Sequence, residues 1–171
     1  MAKEETAKIL KKTGTISADL FILTYGSLVI EIIKEYDDNI ALVNHKLFSI
    51  GENMGKRMCE EFLLLSENQN CSSFKESVDV IAKTALKVYL GTTAEVKKTE
   101  NPNVFVMFLE HNPLEKYLNL PESKADLVYS NVVPGVIRGA LSAIGIQVDC
   151  RIDFEQTKKT GETIIIVNKV K

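Results

Sequence analysis

The sequence predicts an α+β fold, with helices packed on one antiparallel sheet, and three observations carry that prediction. From Ser17 to Gly91 apolar residues recur three or four apart, the period of helices. Beyond Gly91 that period breaks, and Val104 to Leu109 is an unbroken apolar run. Near the C-terminus Ile146, Val148, Cys150, Ile152 and Phe154 alternate with Gln147, Asp149, Arg151 and Asp153, the period of a strand with one buried face. Helices first and strands afterwards, with one helix among them, belong to the α+β class.

Residues 1–16 read as a mobile, mostly charged arm, and 17–171 as a single domain. Ser17 is an N-cap with Asp19 in the first turn, which suits the helix dipole. Leu20, Phe21, Leu23, Tyr25, Leu28, Ile32 and Tyr36 form a broad stripe that ends near Asp37–Asn39. A second helix runs from about Val43 to Leu65, with Leu47, Ile50, Met54, Met58, Phe62 and Leu65 on one face. Gly51 and Gly55 lie inside it, four apart, each costing about 1 kcal/mol against Ala. Close approach of another helix along that edge would offset the cost. The third helix opens on the capping box Ser73-Phe74-Lys75-Glu76 and closes at Gly91.

Val104–Leu109 is apolar at every position, so it predicts a strand covered on both faces. Asn112-Pro113 turns the chain, and Tyr117–Leu120 reads as a short strand before Pro121. A fourth helix is expected from Ala125 or Asp126 to about Ala143, kinked at Pro134, where proline removes a backbone donor. The last segment reads as a hairpin, turning around Lys158–Gly161 into Glu162–Val170.

Composition narrows the function. A chain of 171 residues, 45% hydrophobic and 26% charged, suits a soluble globular domain. A net charge of −2 argues against a nucleic-acid binder. Two His and three Cys, with no CxxC or HxxxH spacing, predict no metal site. The N-terminus has no apolar core of a signal peptide, and no run approaches the roughly 18–20 residues that span a bilayer. The chain is therefore expected in the cytoplasm with its thiols reduced.

No catalytic constellation emerges, so the residues predict no enzyme. His45 and His111 stand in no cysteine-protease context, and Glu60-Glu61 point to different sides of a helix. Cys59 and Cys150 read as core thiols. Cys71, between Asn70 and Ser72 just before a capped helix, is either an ordinary surface cysteine or a reactive, acylated thiol. The small residues Ala82 and Ala85 on the third helix, and Gly135 and Gly139 on the fourth, have two readings. They serve tight helix packing, or they leave a lipid-sized tunnel beneath Cys71.

Four stretches together resemble one family: Asp19–Val29 (DLFILTYGSLV), Asp79–Gly91 (DVIAKTALKVYLG), Leu109–Leu114 (LEHNPL) and Val128–Leu141 (VYSNVVPGVIRGAL). In content, order and spacing they look like the Bet-three subunits of the transport protein particle (TRAPP), a multisubunit vesicle-tethering complex. The resemblance implies helices on an antiparallel sheet with an internal hydrophobic tunnel. It implies a palmitate held by a thioester on Cys71, with Ala82, Ala85, Gly135 and Gly139 as candidates for the tunnel lining. It implies dimerisation through the first helices, with itself or with another small TRAPP subunit. It also implies a non-enzymatic place in an assembly that acts in ER-to-Golgi and intra-Golgi transport. That assembly would contact a Rab-type GTPase as its exchange factor and sit peripherally on cis-Golgi and ER-derived membranes. The alternative is a lipid-binding module of the same fold with an exchangeable, non-covalent acyl ligand. A self-acylating thiol enzyme at Cys71 is the reading from a third class.

Overall fold

Two pairs of glycines bring two helices into backbone contact, and the other elements arrange themselves around that contact. The structure, a computed structural model, describes residues 2–66 and 73–170. Helices α1 (Ala2–Lys12), α2 (Ala18–Glu35) and α3 (Ile40–Leu65) come first. A long helical segment follows: α4 (Phe74–Val80), a π stretch (Ile81–Ala85) and α5 (Leu86–Leu90). Strands β1 (Glu95–Lys98) and β2 (Val104–Leu109) precede α6 (Val132–Ala143). Strand β3 (Val148–Ile152), α7 (Phe154–Thr160) and β4 (Thr163–Lys169) complete the chain.

The expected caps Ser17 and Ser73 are present with their chemistry, while α3 starts three residues before the expected Val43, on a cap at Asn39 that the sequence reading did not assign. Ser17 Oγ accepts from the Leu20 amide, Asn39 Oδ1 from Leu42 and Ser73 Oγ from Glu76. Gly91 closes α5 in the left-handed region at φ 72°, where a side chain would be strained. The π stretch has no signature in the spacing of apolar residues.

All four strands are antiparallel in the order β1-β2-β4-β3. Met107 pairs with Ile165, and Cys150 with Val167. Phe105, Met107, Leu109, Cys150, Ile165 and Val167 are buried beneath the helices. The opposite face of β2 differs from the expectation. Val104, Val106 and Phe108 are half-buried, not covered by a second layer. The Lys97 ammonium lies 4.3 Å from the centre of the Phe108 ring, so a long side chain does the shielding.

Several other segments also depart from expectation. The first residues form the helix α1, with Ile9 fully buried, where a charged arm was expected. Tyr117–Leu120 is not a strand; short 3₁₀ turns at Pro113–Glu115 and Glu122–Lys124 flank it. Helix α6 begins at Val132, so Pro134 stands in its first turn. First-turn amides have no intrahelical acceptor, and Pro134 therefore removes nothing there. The link between β3 and β4 holds the helix α7, capped by Asp153 and closed by Gly161 at φ 75°.

The α3–α6 contact explains the internal glycines. A Cβ at Gly51 would lie 2.1 Å from the Val132 carbonyl oxygen, and one at Gly55 2.1 Å from that of Val136. In return, Cβ atoms at Gly135 and Gly139 would meet the carbonyl oxygens of Phe48 and Glu52 at 2.2 and 2.1 Å. No side chain fits in either direction. Gly139→Ala should therefore lose about 1–3 kcal/mol of stability as the helices are pushed apart. Gly14→Ala, at a position with nothing within 4 Å, should stay within about 0.5 kcal/mol of the parent. Urea denaturation of the two variants checks this pair.

Candidate functional site: an apolar cavity between the helices

A cavity of about 400 Å³ lies between α2, α3, the α4–π–α5 segment and α6. Its wall takes Phe21 and Tyr25 from α2, Met54, Met58 and Phe62 from α3, and Ile81, Ala85 and Leu86 from the π stretch and α5. Val133, Val136 and Ile137 close it from α6. Among the described residues no carboxylate, amine, guanidinium or imidazole lines it.

The hydroxyls in the wall are already engaged. Thr24 Oγ1 donates to the Leu20 carbonyl at 2.7 Å, and Ser77 Oγ to that of Ser73 at 3.2 Å. The Tyr25 hydroxyl donates to the Tyr129 carbonyl at 2.5 Å, and the Tyr89 hydroxyl has two acceptors for its one proton, a Glu61 carboxylate oxygen at 3.2 Å and the Met58 carbonyl at 3.3 Å. Burial pushes both phenols well above their ordinary range; the nearby Glu61 carboxylate adds to the shift at Tyr89. Both phenols therefore stay protonated near neutral pH. Besides the sulfur atoms of Cys59, Met54 and Met58, what the wall offers a guest is hydrocarbon, and a volume of this size suits a small-molecule ligand.

The cavity has an open side. Phe21, Leu28, Met54, Leu63 and Ile144 line it and are also exposed to solvent. A second depression, of about 660 Å³, lies between α2 and residues 114–129. Lys34, Asp38, Asn119 and Lys124 give it a wet, polar rim.

The residues singled out by sequence have separate fates. Cys71 lies outside the described residues. The chain on either side of it is wall: Phe62 and Leu63 near the end of α3, and Ser77 and Val80 in α4. Ser66 Oγ donates to the Phe62 carbonyl at 2.7 Å where α3 ends, and Ser73 caps α4 where description resumes. Ala85 lines the cavity. Ala82 is fully buried but outside the wall, and its carbonyl accepts from the Ala94 amide at 3.0 Å. Gly135 and Gly139 face α3, not the cavity, so at those positions the packing reading holds. His45 is exposed, and His111, 3.9 Å from Glu110, stands in solvent.

The two tyrosines were missed as wall residues. Their place on apolar helical faces is legible in the sequence, but that spacing does not separate a core position from a cavity wall. Among the described residues there is no group of His, Cys, Asp and Glu that could hold a metal ion, and no helix long and apolar enough to cross a membrane.

Together these features define an α+β scaffold around an apolar internal site. Comparison with known proteins narrows the class. The family model described as "Transport protein particle (TRAPP) component" matches residues 21–169. "Trafficking protein particle complex subunit 3" of Dictyostelium discoideum is 43% identical, over 83% of this chain and 77% of its own length. "Trafficking protein particle complex subunit BET3" of Saccharomyces cerevisiae is 34% identical, over 89% of this chain and 79% of its own. A crystal structure of subunit 3 from Naegleria fowleri, covalently bound to palmitic acid, superposes with a TM-score of 0.83 at 33% identity. It covers 90% of this chain and 95% of that one. The chain belongs to the TRAPP component family.

The buried thiol of Cys150 supplies a control for reactivity. It is 2% exposed, and burial pushes its pKa far up. At pH 8 iodoacetamide should leave Cys150 unmodified in the native protein and label it in guanidinium. Labelling of the native protein at Cys150 would mean that the β3–β4 pair opens.

Proposed function

We propose that this chain is a structural subunit of a TRAPP vesicle-tethering complex, and that its cavity holds a palmitoyl chain joined by a thioester to Cys71. The observation that carries the reading is an apolar cavity whose wall hydroxyls all have acceptors within the protein. The palmitic acid named for the Naegleria fowleri relative supports it. In the acylation step the Cys71 thiolate attacks the carbonyl carbon of an acyl thioester donor. A new C–S bond forms, the donor's C–S bond breaks, and the donor leaves as its thiol. At about 0.8 kcal/mol per buried CH2, the chain acts as a piece of core rather than a membrane anchor.

The apolar residues left exposed on and beside α2, namely Ile16, Leu20, Leu23 and Ile30, support a contact with a second copy or another small TRAPP subunit. In this reading the nucleotide-exchange role toward a Rab-type GTPase belongs to the assembly. Attachment to Golgi and ER-derived membranes is likewise peripheral and shared. The open side of the cavity favours a second reading, in which an unattached acyl chain exchanges with solvent. Organic extraction of the native protein removes that chain and leaves a thioester-bound one.

Intact-protein mass spectrometry tests the covalent form. The native protein should carry a palmitoyl-sized excess that neutral hydroxylamine removes and Cys71→Ser lacks. An excess that persists in Cys71→Ser, or its absence from the native protein, overturns the thioester. Ala85→Leu adds bulk to the cavity wall and should lower the acylated fraction; full acylation of that variant would remove Ala85 from the lipid's path.

A further inference from the structure

Helix α1 begins before the residues that match the family model. It is amphipathic: Thr6, Ile9, Leu10 and Thr13 are spaced as one helical face and turned inward, while Glu4, Lys8, Lys11 and Lys12 are exposed. That face packs on the π stretch and on α5, the segment that supplies one wall of the cavity. At its C-terminal end Lys12 Nζ reaches the Leu65 carbonyl, 3.5 Å away, near the end of α3. A short helix thus spans from one cavity wall to another.

Three features give this arrangement the properties of a clasp. The tether to α2 is slack: Gly14, Thr15 and Ile16 are exposed, and nothing lies within 4 Å of a Cβ at Gly14. The element beneath α1 is a π stretch, a form that α-helices adopt rarely and often at functional sites. It directs Ile81 and Ala85 at the cavity, while Ala82 and Thr84 are buried outside the wall. Finally, the Thr84 side chain is 1% exposed, and its hydroxyl makes no hydrogen bond among the described residues. An unsatisfied buried hydroxyl weakens the closed state relative to one in which water can reach it.

We infer that α1 is a strap that clamps the π stretch and controls the entry of an acyl chain into the cavity. Docked, it holds Ile81 and Ala85 in the wall. Released on its tether, it leaves the π stretch free to rewind, and each residue of helical register turns the following side chains by about 100°. The inference rests on the proposed acyl occupancy, but the state of the strap can be read without it.

The test uses the full chain with Cys71→Ser, so that no thioester forms, and compares Ile9→Asp with the conservative Ile9→Leu. Amide hydrogen exchange over residues 81–90 should quicken by about tenfold in Ile9→Asp and stay near the parent in Ile9→Leu. Exchange in β2 and β4 should not change, which separates release of the strap from global unfolding. Uptake of pyrene-labelled hexadecanoic acid should quicken in the same variant. Unchanged exchange over 81–90 in Ile9→Asp overturns the strap. Quickened exchange with unchanged uptake overturns its control of entry. If no variant takes up the probe, the acyl reading of the cavity fails, and the exchange data still decide whether α1 clamps the wall.

Discussion

The α3–α6 contact is the constraint from which the cavity follows. Where Gly51, Gly55, Gly135 and Gly139 meet opposing backbone, two helices run closer than side chains allow. That leaves α6 free to direct Val133, Val136, Ile137, Ala140 and Leu141 at the cavity, Val133, Ile137 and Leu141 also being part of the buried core. Helix α2 and the α4–π–α5 segment have no such glycine contacts. They stand off on large side chains, Phe21 and Tyr25 on one side and Leu86 and Tyr89 on the other. Close packing is the rule in protein interiors. A cavity of this size persists here because one pair of helices is held together and its neighbours are held apart.

The tyrosines show how that standing-off is stabilised. A ring presented to a cavity with its hydroxyl unpaired would be penalised for burying a polar atom. Tyr25 avoids the penalty by reaching the Tyr129 carbonyl, while its ring meets that of Tyr129 edge-on at 5.2 Å. Tyr89 does the same across the cavity's other flank, through the Met58 carbonyl. Each hydroxyl is thus a strut between elements far apart in sequence.

Much of this architecture was legible in the chain, and the illegible parts share physical causes. Helix α2 and the start at Ser73 were readable because apolar spacing and a capping residue agree at each, and α3 was readable by its apolar spacing alone. The β3–β4 pairing was readable because Cys150 and its neighbours alternate with charges. Helix α1 was not, since its inward face is half threonine and its outward face is dense with lysine. Pro134 misled because a proline's effect depends on its distance from the helix start, and the start lies several residues later than the apolar pattern suggests. The short strand β1 carries a single apolar residue, Val96, too little for any period to register. At the site, Gly135 and Gly139 fit tight packing and tunnel lining equally well in the sequence, and only the backbone distances to α3 favour packing. Cys71 stood out by its place before a capped helix and more strongly by resemblance, while Tyr25 and Tyr89 lie on apolar helical faces with nothing in the pattern to mark them as cavity wall.

The chemistry of the wall bears on what the subunit does with a guest. A site that transforms its ligand needs a group able to take or give a proton, or charges placed where the reaction develops them. Here the wall hydroxyls all have acceptors within the protein, the two phenols stay protonated, Cys59 brings a thiol, and no charged side chain is present among the described lining residues. Such a wall can distinguish hydrocarbon from anything polar, because a polar guest would lose its hydration and find no partner. Hydrocarbon entering the cavity would complete the packing that the helices leave unfinished.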